Sequence, residues 1–119
     1  MSQTEYPIID QSIVDQVVRD TGIEILPLLI DSYLEESDVR LANITTAVQS
    51  GDAQTLEFEV HTLGSTSLAI GIEALGRLSR KIEHLCLEGK HDQAFELYDQ
   101  LPNLAEQSRE ALQTLKQGL

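Results

Sequence analysis

Apolar positions recur at helical spacing almost from one end of this chain to the other. Ile13, Val14, Val17 and Val18 share one side of a short helix over roughly 11–19, and "DTG" at 20–22 breaks it. In "IEILPLLIDSYLEESDVRLANITTAVQS", Leu26, Leu29, Ile30, Tyr33, Leu34, Leu41, Ile44 and Val48 mark a long second helix. Pro27 suits its first turn, where the missing N–H does no harm. "SGD" at 50–52 then supplies a C-terminal glycine and a new N-cap, Asp52. A third helix covers about 53–69 and ends at Gly71, and a fourth runs through "EALGRLSRKIEHLCLEG" to Gly89. A fifth is expected after "KHD", capped by Asp92 and continuing to the C-terminus with a kink at Pro102. No segment alternates strictly, and β-branched residues do not gather into strand-like runs. The pattern predicts an all-α fold: an antiparallel up-and-down four-helix bundle with an additional short N-terminal helix. With no repeat and no linker, 1–119 reads as one domain in which 1–10 is an N-terminal extension.

The third helix carries the unusual stretch, "EVHTLGSTSLAIG" at 59–71. At about 100° per residue from Leu56, the residues Val60, Leu63, Ser67 and Ile70 stay within about 40° and form the core stripe. His61 falls at about 140°, off that stripe, with Leu68 near 120°, Ser65 near 180°, Phe58 near 200° and Gly64 near 80°. His61 therefore faces outward. Residues at i+3 and i+4 share its face, so Gly64 and Ser65 are the neighbours that could crowd the ring. Keeping both small is expected to clear space for another molecule, and Phe58 and Leu68 offer it an apolar rim for docking. A lone surface histidine on a helix is usually without function, and a glycine there can simply reflect close helix packing. What counts here is several unusual features meeting on one face.

Composition narrows the field. The 119 residues carry 20 Asp and Glu against 8 Lys and Arg, a formal net charge of −12. That charge argues against a nucleic-acid partner or an anionic membrane and suits a protein partner. Apolar residues make up 41%, enough for a real core. A single cysteine, Cys86, excludes an internal disulfide, fits a reducing compartment and reads as a core or flank residue. There is no membrane-length apolar run and no export signal in "MSQTEYPIID", so a cytoplasmic location is expected. His84 and His91 lack the small-residue clearing, and no chelating spacing of His or Cys suggests a metal site. No P-loop, Gly-rich nucleotide loop or protein-kinase signature is present, so the chain is expected to be no enzyme with its own kinase activity.

"VHTLGSTSLAIGIEALGRLSRKIE" resembles the signature of histidine-containing phosphotransfer (HPt) domains, small all-α carriers that relay phosphoryl groups between receiver domains in multi-step two-component signalling. His61, Leu63, Ile70, Gly71, Leu75, Ile82 and Glu83 fall in register with the family pattern without gaps. "LLIDSYLEE" and "AVQSGDAQTL" are similar to its upstream stretches, so the resemblance spans about 20–115. Two departures stand out: Gly64 replaces the usual lysine and Ser65 the usual glycine. The first removes a cation from the phosphoryl oxygens.

The resemblance implies that His61 is the phosphoryl acceptor and that Glu83 holds its ring nitrogen. Geometry agrees on the level: an antiparallel return about Gly71 sets His61 opposite about 80–83. Nε2, the outer nitrogen, is expected to attack, with Nδ1 carrying the proton. Arg80 and Lys81, at the same level, are candidates to replace the missing lysine. No cofactor is expected on this chain, because the resemblance places Mg²⁺ on the receiver partner. The expected partners are response-regulator receiver domains, a hybrid sensor histidine kinase, or both, engaged by a monomer. The start "MSQTEYP" favours a free-standing protein over a segment of such a kinase. The competing reading is a docking or inhibitory module that binds a receiver or kinase without carrying phosphate. A purely structural bundle would instead bury Phe58 and Leu68.

Overall fold

The computed structural model describes residues 6–119, and residues 1–5 of the expected N-terminal extension lie outside them. The described chain is all helical: α1 (Gln11–Thr21), α2 (Leu26–Ser50), α3 (Ala53–Ala69), α4 (Glu73–Leu87), α5 (His91–Leu97), a 3₁₀ turn (Tyr98–Gln100) and α6 (Leu101–Gln117). The long helices α2, α3, α4 and α6 form the bundle, α3 packing against both α2 and α4, while α6 closes on α2 and α4. The core stripe read from the third helix is where it was expected, with Leu56, Val60, Leu63 and Ser67 fully enclosed and Ile70 nearly so.

Local chemistry explains the helix ends. The Asp10 and Asp52 carboxylates accept the backbone N–H groups of Ser12 and Thr55, each at 3.0 Å, and so satisfy donors that the first turn of a helix leaves free. Pro27 sits in the opening turn of α2. Gly51 closes that helix at φ +70°, a left-handed conformation that costs glycine no steric penalty.

Two expectations about the C-terminal third need correction. Asp92 is not the cap of the fifth helix. Lys90 N donates to Leu85 O at 2.8 Å as the chain leaves α4, so the next helix begins at His91 and Asp92 falls inside its first turn. There its charge favours the positive end of the helix. Nor is the last helix one rod kinked at Pro102. It breaks into α5 and α6 at the 3₁₀ turn, and Pro102 opens α6, where its missing N–H is not needed. Tyr98 in that turn is tied to α2 by a 2.6 Å hydrogen bond between its hydroxyl and that of Thr45.

Residues 7–10 are built into the bundle. α4 has no side-chain cap, and the carbonyls of Pro7 and Ile8 accept from Ala74 N and Glu73 N at 3.0 and 3.1 Å. Asp10 N donates to Gly71 O at 2.7 Å. This segment thus fixes the α3–α4 turn, and the turn sets the register of the two helices. Gly71 has φ +88°, and a Cβ there would lie 3.0 Å from Asp10 O. Gly71→Ala is therefore expected to cost about 1–3 kcal/mol in urea unfolding, from backbone strain and the clash together.

Two buried polar links join α2 to α3. Tyr33 and Ser67 share a 2.7 Å hydrogen bond between their hydroxyls. Glu59, only 5% exposed, accepts from Arg40 at 2.9 and 3.1 Å and from Asn43 at 3.3 Å. The buried Arg40 Nε lies 3.0 Å from a Glu36 oxygen, close enough for an ion pair but misaligned for a hydrogen bond. Burial pushes the Tyr33 hydroxyl up to about 12. An unfolded tyrosine releases its proton near pH 10, so between these values the unfolded state binds fewer protons and stability falls as pH rises. Its full contribution is present below about pH 10. Tyr33→Phe is expected to flatten this alkaline decline, read from urea midpoints of variant and parent across that window.

Candidate functional site

His61 lies in the outer half of the α3–α4 seam. Its side chain is 56% exposed, and its Nδ1 is 2.7 Å from Glu83 Oε2 on α4. The antiparallel turn at Gly71 places the two residues level, and α4 carries Ile82 into the core while Glu83 beside it stays at the seam. The Glu83 side chain is 16% exposed, so its contact with the ring is shielded from much of the solvent.

Arg80, one turn earlier on α4, completes the cluster. Its Nη1 donates to Glu83 Oε1 at 3.1 Å and its Nη2 to Ser65 Oγ at 2.9 Å. Nη1 also lies 3.1 Å from His61 Nδ1. A ring nitrogen holds one proton or one lone pair, so Nδ1 cannot both donate to Glu83 and accept from Arg80. The shorter contact to a carboxylate favours Nδ1–H donating to Glu83, with the guanidinium in close approach only. Nε2 is then the nitrogen with a free lone pair, and no hydrogen bond reaches it among the described residues.

The structure corrects three expectations about the neighbours of the ring. Gly64 does not clear space for an incoming molecule: it is buried against α4, and a Cβ there would meet Ser79 Cβ at 3.4 Å and Arg80 Cδ and Nε at 3.5 Å. The room it leaves is taken by the stem of Arg80. Leu68 is no exposed rim, because its Cγ and Cδ2 press on Gly76, within 2.7 Å of where a Cβ would be. Lys81 is exposed and makes none of the contacts in the cluster. Ser65 is half-buried beneath the guanidinium, and Phe58, 62% exposed, stands free one turn before His61. At the matching level of α4, Leu87 is 60% exposed, an apolar neighbour that the reading of α3 alone did not reach.

Other features of the sequence lie apart from the ring. Cys86 is buried, and burial raises its thiol above the usual range, with Glu57 and Glu83 adding to the effect. Among the described residues no cluster of His, Cys, Asp and Glu is placed to hold a metal ion, and no helix is long and apolar enough to cross a membrane. The buried Glu59 was missed. Its angle of about −60° from Leu56 on the helical wheel puts it at the edge of the core stripe, and that was the available signal.

Comparison with known proteins places the chain. A search of curated proteins finds no significant match. Among solved structures, the fold matches the crystal structure of histidine-containing phosphotransfer protein B (HptB) from Pseudomonas aeruginosa PAO1. The TM-score is 0.88 at 23% identity, over 97% of this chain and 99% of that one. The sequence profile of the Hpt domain matches residues 28–116, three quarters of the chain, from the opening of α2 almost to the end of α6. The chain belongs to the Hpt domain family, whose members are phosphocarriers of two-component signalling.

Proposed function

We propose that His61 carries the phosphoryl group, accepting it from the aspartyl phosphate of one receiver domain and passing it to another. The observation that supports this most is an exposed ring whose Nδ1 lies 2.7 Å from the Glu83 carboxylate, a contact that favours the tautomer with the free lone pair on Nε2. In the transfer, Nε2 forms a bond to phosphorus as the P–O bond to the aspartyl carboxylate breaks, and that carboxylate leaves with the electron pair. The Nδ1 proton stays in place. The ring gains positive charge as it gives up its lone pair, and the Glu83 carboxylate offsets that charge, strengthening its hydrogen bond as the reaction proceeds.

Receiving from either side is reversible because both carboxylate and imidazole are good leaving groups. The resemblance to HPt domains puts Mg²⁺ on the receiver, where it would offset the charge of the phosphoryl oxygens. Phe58 and Leu87, flanking the ring on α3 and α4, give the partner apolar contact beside it.

The test is a transfer assay. A receiver domain labelled on its aspartate is mixed with the protein and Mg²⁺, and label on the protein is challenged with acid and with alkali. The expected result is label that is lost in acid and retained in alkali, as a phosphorus–nitrogen bond requires. Binding of several receivers with no label transferred would instead make the protein a docking module.

A further inference from the structure

Phosphoryl transfer concentrates negative charge on three oxygens, and this protein, at net −12, has few cations to meet it. We propose that Arg80 is the phosphoryl-binding cation of the site, delivered from α4 across the gap left by Gly64; this rests on the assignment of His61 as the carrier.

Three observations converge on Arg80. It is the cation that contacts the ring, with Nη1 3.1 Å from Nδ1. Its guanidinium is braced at both ends, by Ser65 Oγ at 2.9 Å and Glu83 Oε1 at 3.1 Å, so it stays beside the histidine rather than ranging over the surface. Its side chain remains 36% exposed, so N–H groups are left to turn toward an incoming anion. The planar fork suits phosphoryl oxygens, which it can bind through two donors at once.

Gly64 explains how the cation reaches the ring from the opposite helix. A Cβ placed on Gly64 would lie 3.5 Å from the Arg80 Cδ and Nε, in ordinary contact, so the arginine stem packs directly over this position. Any longer side chain at 64 would fall where the arginine stem now lies. Glycine at 64 and arginine at 80 therefore form one device, in which α3 gives up its side chain so that α4 can supply the charge. Ser65 belongs to the same device, because its hydroxyl anchors the Nη2 end.

The test uses phosphoramidate as a small-molecule phosphoryl donor, so the outcome does not depend on choosing the right receiver. Loading is followed for the parent, Arg80→Ala, Arg80→Gln, and Arg80→Ala combined with Gly64→Lys. Thermal unfolding of each variant is measured alongside. Arg80→Ala and Arg80→Gln are expected to load at least tenfold more slowly, since glutamine keeps a hydrogen-bonding group but loses the charge. The double variant returns the charge from α3 once the arginine stem is gone, and is expected to recover most of the rate. Acid-labile loading of Arg80→Gln at the parental rate would overturn the proposal while leaving His61 as the carrier. A double variant as slow as Arg80→Ala, with unfolding unchanged, would also overturn it, by making Arg80 a brace for Glu83 alone. Parental loading that persists in His61→Gln would overturn the carrier assignment itself.

Discussion

His61→Gln is expected to abolish acid-labile phosphorylation and leave the bundle folded. Glutamine keeps a polar side chain at a site that is 56% exposed, so little burial is lost and the unfolding midpoint should move only slightly. What disappears is the ring nitrogen with its free lone pair. His84 and His91 are internal controls, because neither takes part in the hydrogen bonds that organise the His61 site. Transfer from a phosphorylated receiver, followed by acid treatment, should show a labelled parent and an unlabelled variant. The circular-dichroism spectrum should be the same for both.

The second large effect is expected at Glu83. A hydrogen bond to a charged group contributes about 1.5–3 kcal/mol, and this one grows stronger as the ring becomes cationic. Glu83→Ala should therefore slow phosphoryl uptake by about 10–100-fold, because each 1.36 kcal/mol is tenfold in rate. It also frees the ring to adopt the other tautomer, in which Nε2 carries the proton and cannot attack. Glu83→Gln retains an oxygen that can accept from Nδ1–H but has no charge to offset that of the ring, so it should fall between the parent and the alanine variant. Rates are read from the time course of label transfer at a fixed receiver concentration. Equal rates in all three proteins would remove Glu83 from the account.

These two residues also mark how far the sequence could be read. His61 and Glu83 are separated by 22 positions; helical periodicity and an antiparallel return at Gly71 set His61 level with about 80–83, and the resemblance to the HPt signature singles out Glu83 within that range. Each of those is a local or nearly local signal. Gly64 was harder, because about 80° from the core stripe is the boundary between core and surface. Whether such a position is open or covered depends on how closely the neighbouring helix approaches, which no single-helix projection contains. The capping of α4 by the carbonyls of Pro7 and Ile8 is equally non-local, since backbone acceptors carry no sequence signature. The break at Tyr98–Gln100 was misjudged for a different reason. A proline in a helical pattern is compatible with a kink or with a new first turn, and the 3₁₀ turn before it decides for the second. The pairing of buried Glu59 with half-buried Arg40 is not evident when charges are read as surface, although a carboxylate that close to the stripe needs a partner.

The proposed role of Gly64, Ser65 and Arg80 gives such departures from a family pattern a physical meaning. A cation missing from one helix is not a missing function if the facing helix holds one in reach. The requirement is a charge beside the phosphoryl oxygens, and on the assignment of Arg80 proposed above it would come from a residue that no alignment column pairs with position 64.

The most direct test of the central claim is to load the ¹⁵N-labelled protein with phosphoramidate and record long-range ¹H–¹⁵N spectra of its histidine rings together with ³¹P spectra. A single phosphoramidate-type ³¹P signal is expected, with coupling to Nε2 of His61, a protonated Nδ1 on the same ring, and the rings of His84 and His91 unchanged. Phosphorus on Nδ1 of His61, on another histidine, or on no histidine in the folded protein would contradict the assignment of His61 Nε2 as the carrier.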